Sequence, residues 1–113
     1  MYGYDECVEM AGGKVLCGKA FGSYQGTIWM KVVHPDGRVG WCAVDYGSCT
    51  GCDTLEHLRA HYSGELLAHK MRQEGTDILA GLMTQGEAEK LAGHDRSWDI
   101  EADNVVAFIR ANA

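Results

Sequence analysis

An α+β domain is what this sequence predicts: a three-stranded antiparallel β-meander over residues 14–46, then three to four helices over residues 53–112 that pack on one face of the sheet. Three observations point there. Apolar and aromatic residues alternate with period two on either side of His34-Pro35-Asp36-Gly37. After Asp53 the apolar period lengthens to that of a helix. A chain of 113 residues has room for one hydrophobic core, not two.

The elements follow in order. Tyr4 to Ala11 reads as a short helix with Val8 and Met10 partly buried, ended by Gly12-Gly13. A first strand starts at Lys14, where Val15, Cys17 and Lys19 share one side, Leu16, Gly18 and Ala20 share the other, and Phe21 closes the segment. Gly22 to Gly26 has the composition of a turn. Thr27 to Val33 is rich in β-branched and aromatic residues, with Ile28, Met30 and Val32 opposite Trp29, Lys31 and Val33. Proline presets φ in the next turn, and Asp36-Gly37 supplies its positive-φ position. Arg38 to Tyr46 returns with Val39, Trp41 and Ala43 facing away from Cys42, Val44 and Tyr46. Asp53 suits a helix N-cap, and Glu56 has capping-box spacing from it. Leu55, Leu58, Tyr62 and Leu66 form an apolar stripe. Ser63-Gly64 ends or kinks that helix, and Gly75 stops its continuation. Thr76 then caps another helix through Met83, Gly86 to Ala92 is short, acidic and weakly amphipathic, and Asp99 or Asp103 caps a last helix that buries Val105, Val106, Phe108 and Ile109.

Hydrophobic residues make up 46% and charged residues 23%, which excludes wholesale disorder, and no apolar run approaches the ~20 residues of a membrane span. The net charge of −6 argues against direct binding to a phosphate backbone. Five cysteines, an odd number, with no visible export signal argue for a reducing cytoplasm rather than a disulfide framework.

The densest chemistry lies between residues 47 and 61. Cys49-Thr50-Gly51-Cys52 leads into the helix that carries His57 and His61. As a zinc centre, Cys49 and Cys52 supply two ligands, and the set is completed by Cys17 and Cys42 from neighbouring strands or by the two histidines. The four-cysteine set is the expected one, because His57 and His61 lie about 160° and 120° round the helix from Leu55 and face solvent. As a redox pair, Cys49 and Cys52 would use the helix N-terminus to stabilise a thiolate, although a meander is not the usual βαβ setting. A cysteine nucleophile would need His57 to reach back to the helix start, with no third group to orient it. The simplest account, and the one the residues favour, is a tight strand-to-helix bend with cysteines packed as small apolar groups, so that the cofactor is either none or one zinc.

Two further features concern partners. Glu87, Glu89, Asp95, Asp99, Glu101 and Asp103 make the second half acidic, a surface able to imitate a phosphate backbone for a protein that handles nucleic acid, or simply a solvated face. Tyr24, Trp29, Trp41 and Tyr46 are candidates for an exposed aromatic patch on the sheet, with Tyr24, Trp29 and Trp41 the expected partner contacts. A small ligand or nucleotide bound between sheet and helices is a third class of function.

The strings Gly22-Ser23-Tyr24-Gln25-Gly26 and Tyr46-Gly47-Ser48-Cys49-Thr50-Gly51-Cys52-Asp53 resemble a family of small proteins found mainly in bacteriophages and prophage-bearing bacteria. The likeness covers residues 20–60, with Thr50 where that family usually has serine, and thins to an outline beyond. It implies a phage origin and little mechanism. Together with small size, net acidity and the lack of a convincing catalytic set, it leads to the expectation of a non-enzymatic phage accessory protein that binds a host or defence-system protein, of anti-CRISPR or anti-restriction type, in the host cytoplasm. The hairpin Ile28 to Tyr46, with Asp36-Gly37 and Gly40-Trp41, also resembles bacterial SH3-type barrels.

Overall fold

The structure is a computed structural model and describes residues 2–22, 26–47, 53–94 and 102–113. Within them the chain runs α1 (Tyr4–Met10), β1 (Lys14–Gly22), β2 (Gly26–Val33), β3 (Val39–Tyr46), α2 (Thr54–His61), α3 (Gly64–Ala80), α4 (Gln85–His94) and α5 (Ala102–Ala111). The α+β meander is the expected one: β2 lies between antiparallel β1 and β3. This sheet is open, so the likeness of the hairpin to a barrel does not extend to its architecture.

The turn between β2 and β3 forms as its residues dictate. Gly37 has φ +94° and donates to the His34 carbonyl at 2.8 Å, while the Asp36 carboxylate accepts from the Arg38 amide at 3.0 Å. Register then places Met30 beside Cys42 and Lys31 beside Trp41, which fixes the two faces of β2 and β3 as the alternation predicts.

β1 departs from its alternation. Its register slips between Val15 and Cys17, so Leu16 is an extra residue bulging from the strand. Val15 therefore joins the face of Val32, whereas Cys17 turns to the opposite face with Lys31. A single inserted residue separates two side chains that strict alternation puts together.

Helices cover both faces of the sheet rather than one. On the first face Ile28, Met30, Val32, Cys42 and Val44 pack against Tyr4, Cys7 and Val8 of α1, Leu55 of α2 and Met71, Ile78 and Leu79 of α3. On the second, Phe21, Trp29 and Trp41 pack against Ala88 and Ala92 of α4 and Val105 and Ile109 of α5.

Two glycines make this possible by allowing backbones to touch. Gly75 does not stop a helix; α3 runs through it, and Thr76 donates its hydroxyl to the Arg72 carbonyl of the same helix at 3.0 Å. A Cβ on Gly75 would collide with the Cys7 carbonyl of α1, so the position serves the crossing of the two helices. Gly40 plays the same part at β3, where a Cβ would meet the Met83 carbonyl. Met83 consequently lies outside any helix and exchanges two 2.8 Å backbone hydrogen bonds with Trp41.

Candidate functional site

Residues 48–52, with Cys49 and Cys52, lie outside the described residues, but Gly47 and Asp53 on either side of them are defined. Asp53, the N-cap of α2, is 5% exposed, and four donors converge on its carboxylate. Oδ1 accepts from the Tyr4 hydroxyl at 2.7 Å and from the amides of Leu55 and Glu56 at 3.0 and 3.1 Å; Oδ2 accepts from the Gly47 amide at 2.9 Å. Burial alone would push the Asp53 carboxyl up, but the Tyr4 hydroxyl and the Gly47, Glu56 and Leu55 amides outweigh it and hold it below the usual carboxylate range. Burial and the Asp53 carboxylate together push the Tyr4 phenol well above its ordinary value. A carboxylate so saturated has little capacity to serve as a general base. It ties Gly47 at the end of β3 and Tyr4 of α1 to the start of α2. Nearby, burial and the charges of Asp77 and Asp53 raise the Glu74 carboxyl.

The four-cysteine zinc set does not assemble. Cys17 and Cys42 belong to different cores on opposite faces of the sheet, because the bulge at Leu16 reverses Cys17. Two thiols separated by the sheet cannot share one tetrahedron with Cys49 and Cys52. Cys42 is instead a packed apolar residue, its thiol pushed up to about 11 by burial; Cys7 is pushed to about 11 by burial and then by Glu74.

His57 and His61 do come together. Both are exposed on α2, on the side away from buried Leu55, and their ring centroids are 4.4 Å apart with planes inclined at 46°.

The predicted partner surface is largely consumed by the fold. Trp29 and Trp41 are 2% and 1% exposed and belong to the second core, which corrects the expectation of an aromatic patch built on them; Tyr24 lies outside the described residues. Trp41 donates its indole N–H to Gln85 Oε1 at 2.7 Å, and Phe108 meets its ring edge-on at 5.7 Å. Glu87 completes a capping box at the start of α4: its carboxylate accepts from the Thr84 amide at 3.0 Å, and its own amide donates to the Thr84 hydroxyl at 3.2 Å. Glu89 pairs with Arg110 of α5 at 2.6 Å and accepts from Gln85 at 3.2 Å. These two acids have local structural duties, and Asp95, Asp99 and Glu101 lie outside the described residues.

What sequence reasoning passed over is partly written in the sequence. Thr84-Gln85-Gly86-Glu87 is a capping-box string, and it marks where α4 begins. The outer edge of β1 has no such signal. Nine residues long, it pairs among the described residues only with β2, and the bulge leaves Leu16 48% exposed between exposed Lys14 and Lys19. The other sheet edge is closed at its centre by Met83.

No family model, curated protein or solved structure matches this chain. No helix among the described residues is long and apolar enough to cross a membrane.

Proposed function

We propose that this is a phage accessory protein without a reaction of its own, which acts in the host cytoplasm by binding a host or defence-system protein along the outer edge of β1. The unpaired edge supports the reading most directly. A strand of nine residues whose outer edge has no strand partner among the described residues is a template for a further strand, and main-chain hydrogen bonds would supply affinity whatever the partner's sequence. Side chains around the edge select the occupant. Lys14 and Lys19 make it locally basic in a chain of net charge −6, while exposed Leu16 offers an apolar contact. Lysines and a bulge are also how a strand discourages pairing with its own copies. The occupant this edge suits is therefore an extended, acidic segment of a different protein with an apolar side chain for Leu16. The phage-like turn and loop support the choice of a host or defence protein.

The test is expression in bacteria whose CRISPR or restriction system blocks a phage, with capture of the protein from the same cells. The wild-type chain is expected to raise phage plating at least tenfold and to retain one stoichiometric partner; Lys14→Glu combined with Leu16→Glu should lose both while keeping its far-UV circular dichroism. A wild-type chain that neither alters plating nor retains a partner overturns the function. A folded edge variant that keeps both overturns the edge.

A further inference from the structure

We propose that His57 and His61 form a two-imidazole chelate for a first-row divalent metal ion such as Zn2+. This site is separate from the β1 edge and does not depend on it. The string His57-Leu58-Arg59-Ala60-His61 places two imidazoles at i and i+4, the helical spacing at which two histidines share one metal in zinc-binding helices. Geometry agrees with the spacing. Two imidazoles bound at about 2.0–2.1 Å, with a right-angled to tetrahedral bite, put their ring centres roughly 4.5–5.2 Å apart. The observed 4.4 Å is within a small side-chain rotation of that range.

The helix is also held in place. Asp53 caps its first turn, and Leu55 anchors it in the core at 1% exposure. The metal therefore meets a backbone that is already ordered, and only the two side chains must settle. Arg59, the one cation between the histidines, reaches across to Gly3 and leaves their side of the helix free. Both imidazoles are exposed, so water or a donor from another molecule can occupy the remaining coordination positions. Imidazole suits zinc, copper and nickel over calcium or magnesium, and the chain's charge of −6 adds a general attraction for a dication.

Calorimetric titration of the full chain with Zn2+ tests the proposal, in wild type and in a Cys49→Ser, Cys52→Ser background that removes the adjacent thiols. One ion per chain is expected in both, with His57→Ala and His61→Ala each weakening binding at least tenfold and His69→Ala leaving it unchanged. Broadening or shifts of the His57 and His61 ring proton resonances on adding Zn2+ should accompany the heat. The proposal is overturned if the thiol-free background binds nothing up to about 1 mM Zn2+, a Kd beyond which association is worth less than about 4 kcal/mol. It is equally overturned if the His57→Ala, His61→Ala double variant, folded by circular dichroism, binds as tightly as its parent.

Discussion

The two faces of the sheet are built on different principles. Against α1 and α3 the core is mainly aliphatic and sulfur-containing, with Tyr4 and Tyr46 its only buried aromatic residues among those described, and close in its backbones: Gly75 lets α1 cross α3 directly, and one buried carboxylate ties the helix ends together. Against α4 and α5 it is aromatic. Trp29, Trp41 and Phe21 fill the space, small Ala88 and Ala92 make room for them, and polar side chains reach to backbone at the rim. Gln85 illustrates that rim: it accepts from Trp41 and donates to the Ile109 carbonyl at 3.2 Å, while Lys31 donates to the Asn112 carbonyl at 2.7 Å just past α5, where the helix dipole favours a cation. A three-stranded sheet thus carries two separate cores, one on each face, where the length of the chain predicts a single one. One is specified by what is missing at Gly75 and the other by the bulk of its indoles.

The largest effects should come from breaking each principle in turn. Trp41→Ala is expected to cost about 4 kcal/mol, as a large cavity opens and Gln85 loses its donor. Gly75→Ala should cost about 3 kcal/mol, because the collision is with backbone that cannot rotate away. Combined, the two losses should add to within about 0.5 kcal/mol if the faces are independent. Urea unfolding of the singles and the double measures this, and a larger coupling would show that strain crosses the sheet; if the double is too unstable, Trp41→Phe replaces Trp41→Ala.

Next in size is the polar clamp peculiar to the first face. Asp53→Ala should cost about 2 kcal/mol, the loss of a helix cap together with a buried Tyr4 hydroxyl deprived of its acceptor. The pH dependence has a definite sign. The Asp53 carboxyl is held below its ordinary value in the fold, so its contribution is complete above about pH 4 and fades as pH falls through the lowered folded value. Wild type should accordingly begin to lose its advantage over Asp53→Ala as pH falls below about 4, and a difference that stays constant as the solution is acidified further would contradict the clamp.

The smallest effect distinguishes two residues within the second face. Trp29 Nε1 is buried without a hydrogen-bond partner among the described residues, whereas Trp41 Nε1 is bonded to Gln85. Trp41→Phe should therefore cost about 1 kcal/mol more than Trp29→Phe, since only the first leaves the half-buried Gln85 oxygen without its donor. Equal losses would mean that the Gln85 bond adds nothing net.

Much of this molecule is legible residue by residue. The alternation of β2 and β3, the Pro35-Asp36-Gly37 turn, the Asp53 cap and the solvent-facing histidines are all as local chemistry predicts. Each depends on a few neighbouring residues, and so does the Thr84–Glu87 capping box, which acidity alone disguised as part of an interaction surface. The bulge at Leu16 is different: nothing in Val15-Leu16-Cys17 shows which residue β2 will skip, and on that choice hangs whether Cys17 and Cys42 share a face. Gly75 and the two tryptophans are ambiguous for a related reason. A helix stop and a helix crossing use the same residue, and an indole on a strand looks alike whether or not a helix will arrive to cover it.

By itself, the sequence determined the alternation of β2 and β3, the turn at Pro35-Asp36-Gly37 and the Asp53 cap, because those follow from torsional preferences and hydrogen bonds that close within about one turn of chain. Only the tertiary structure decided which surfaces are left over. Burial is settled between segments far apart in sequence, so that Ala88 and Val105 hide Trp29 and Trp41, Trp41 and Met83 close one sheet edge, and β1, whose outer side no strand pairs among the described residues, keeps the other open.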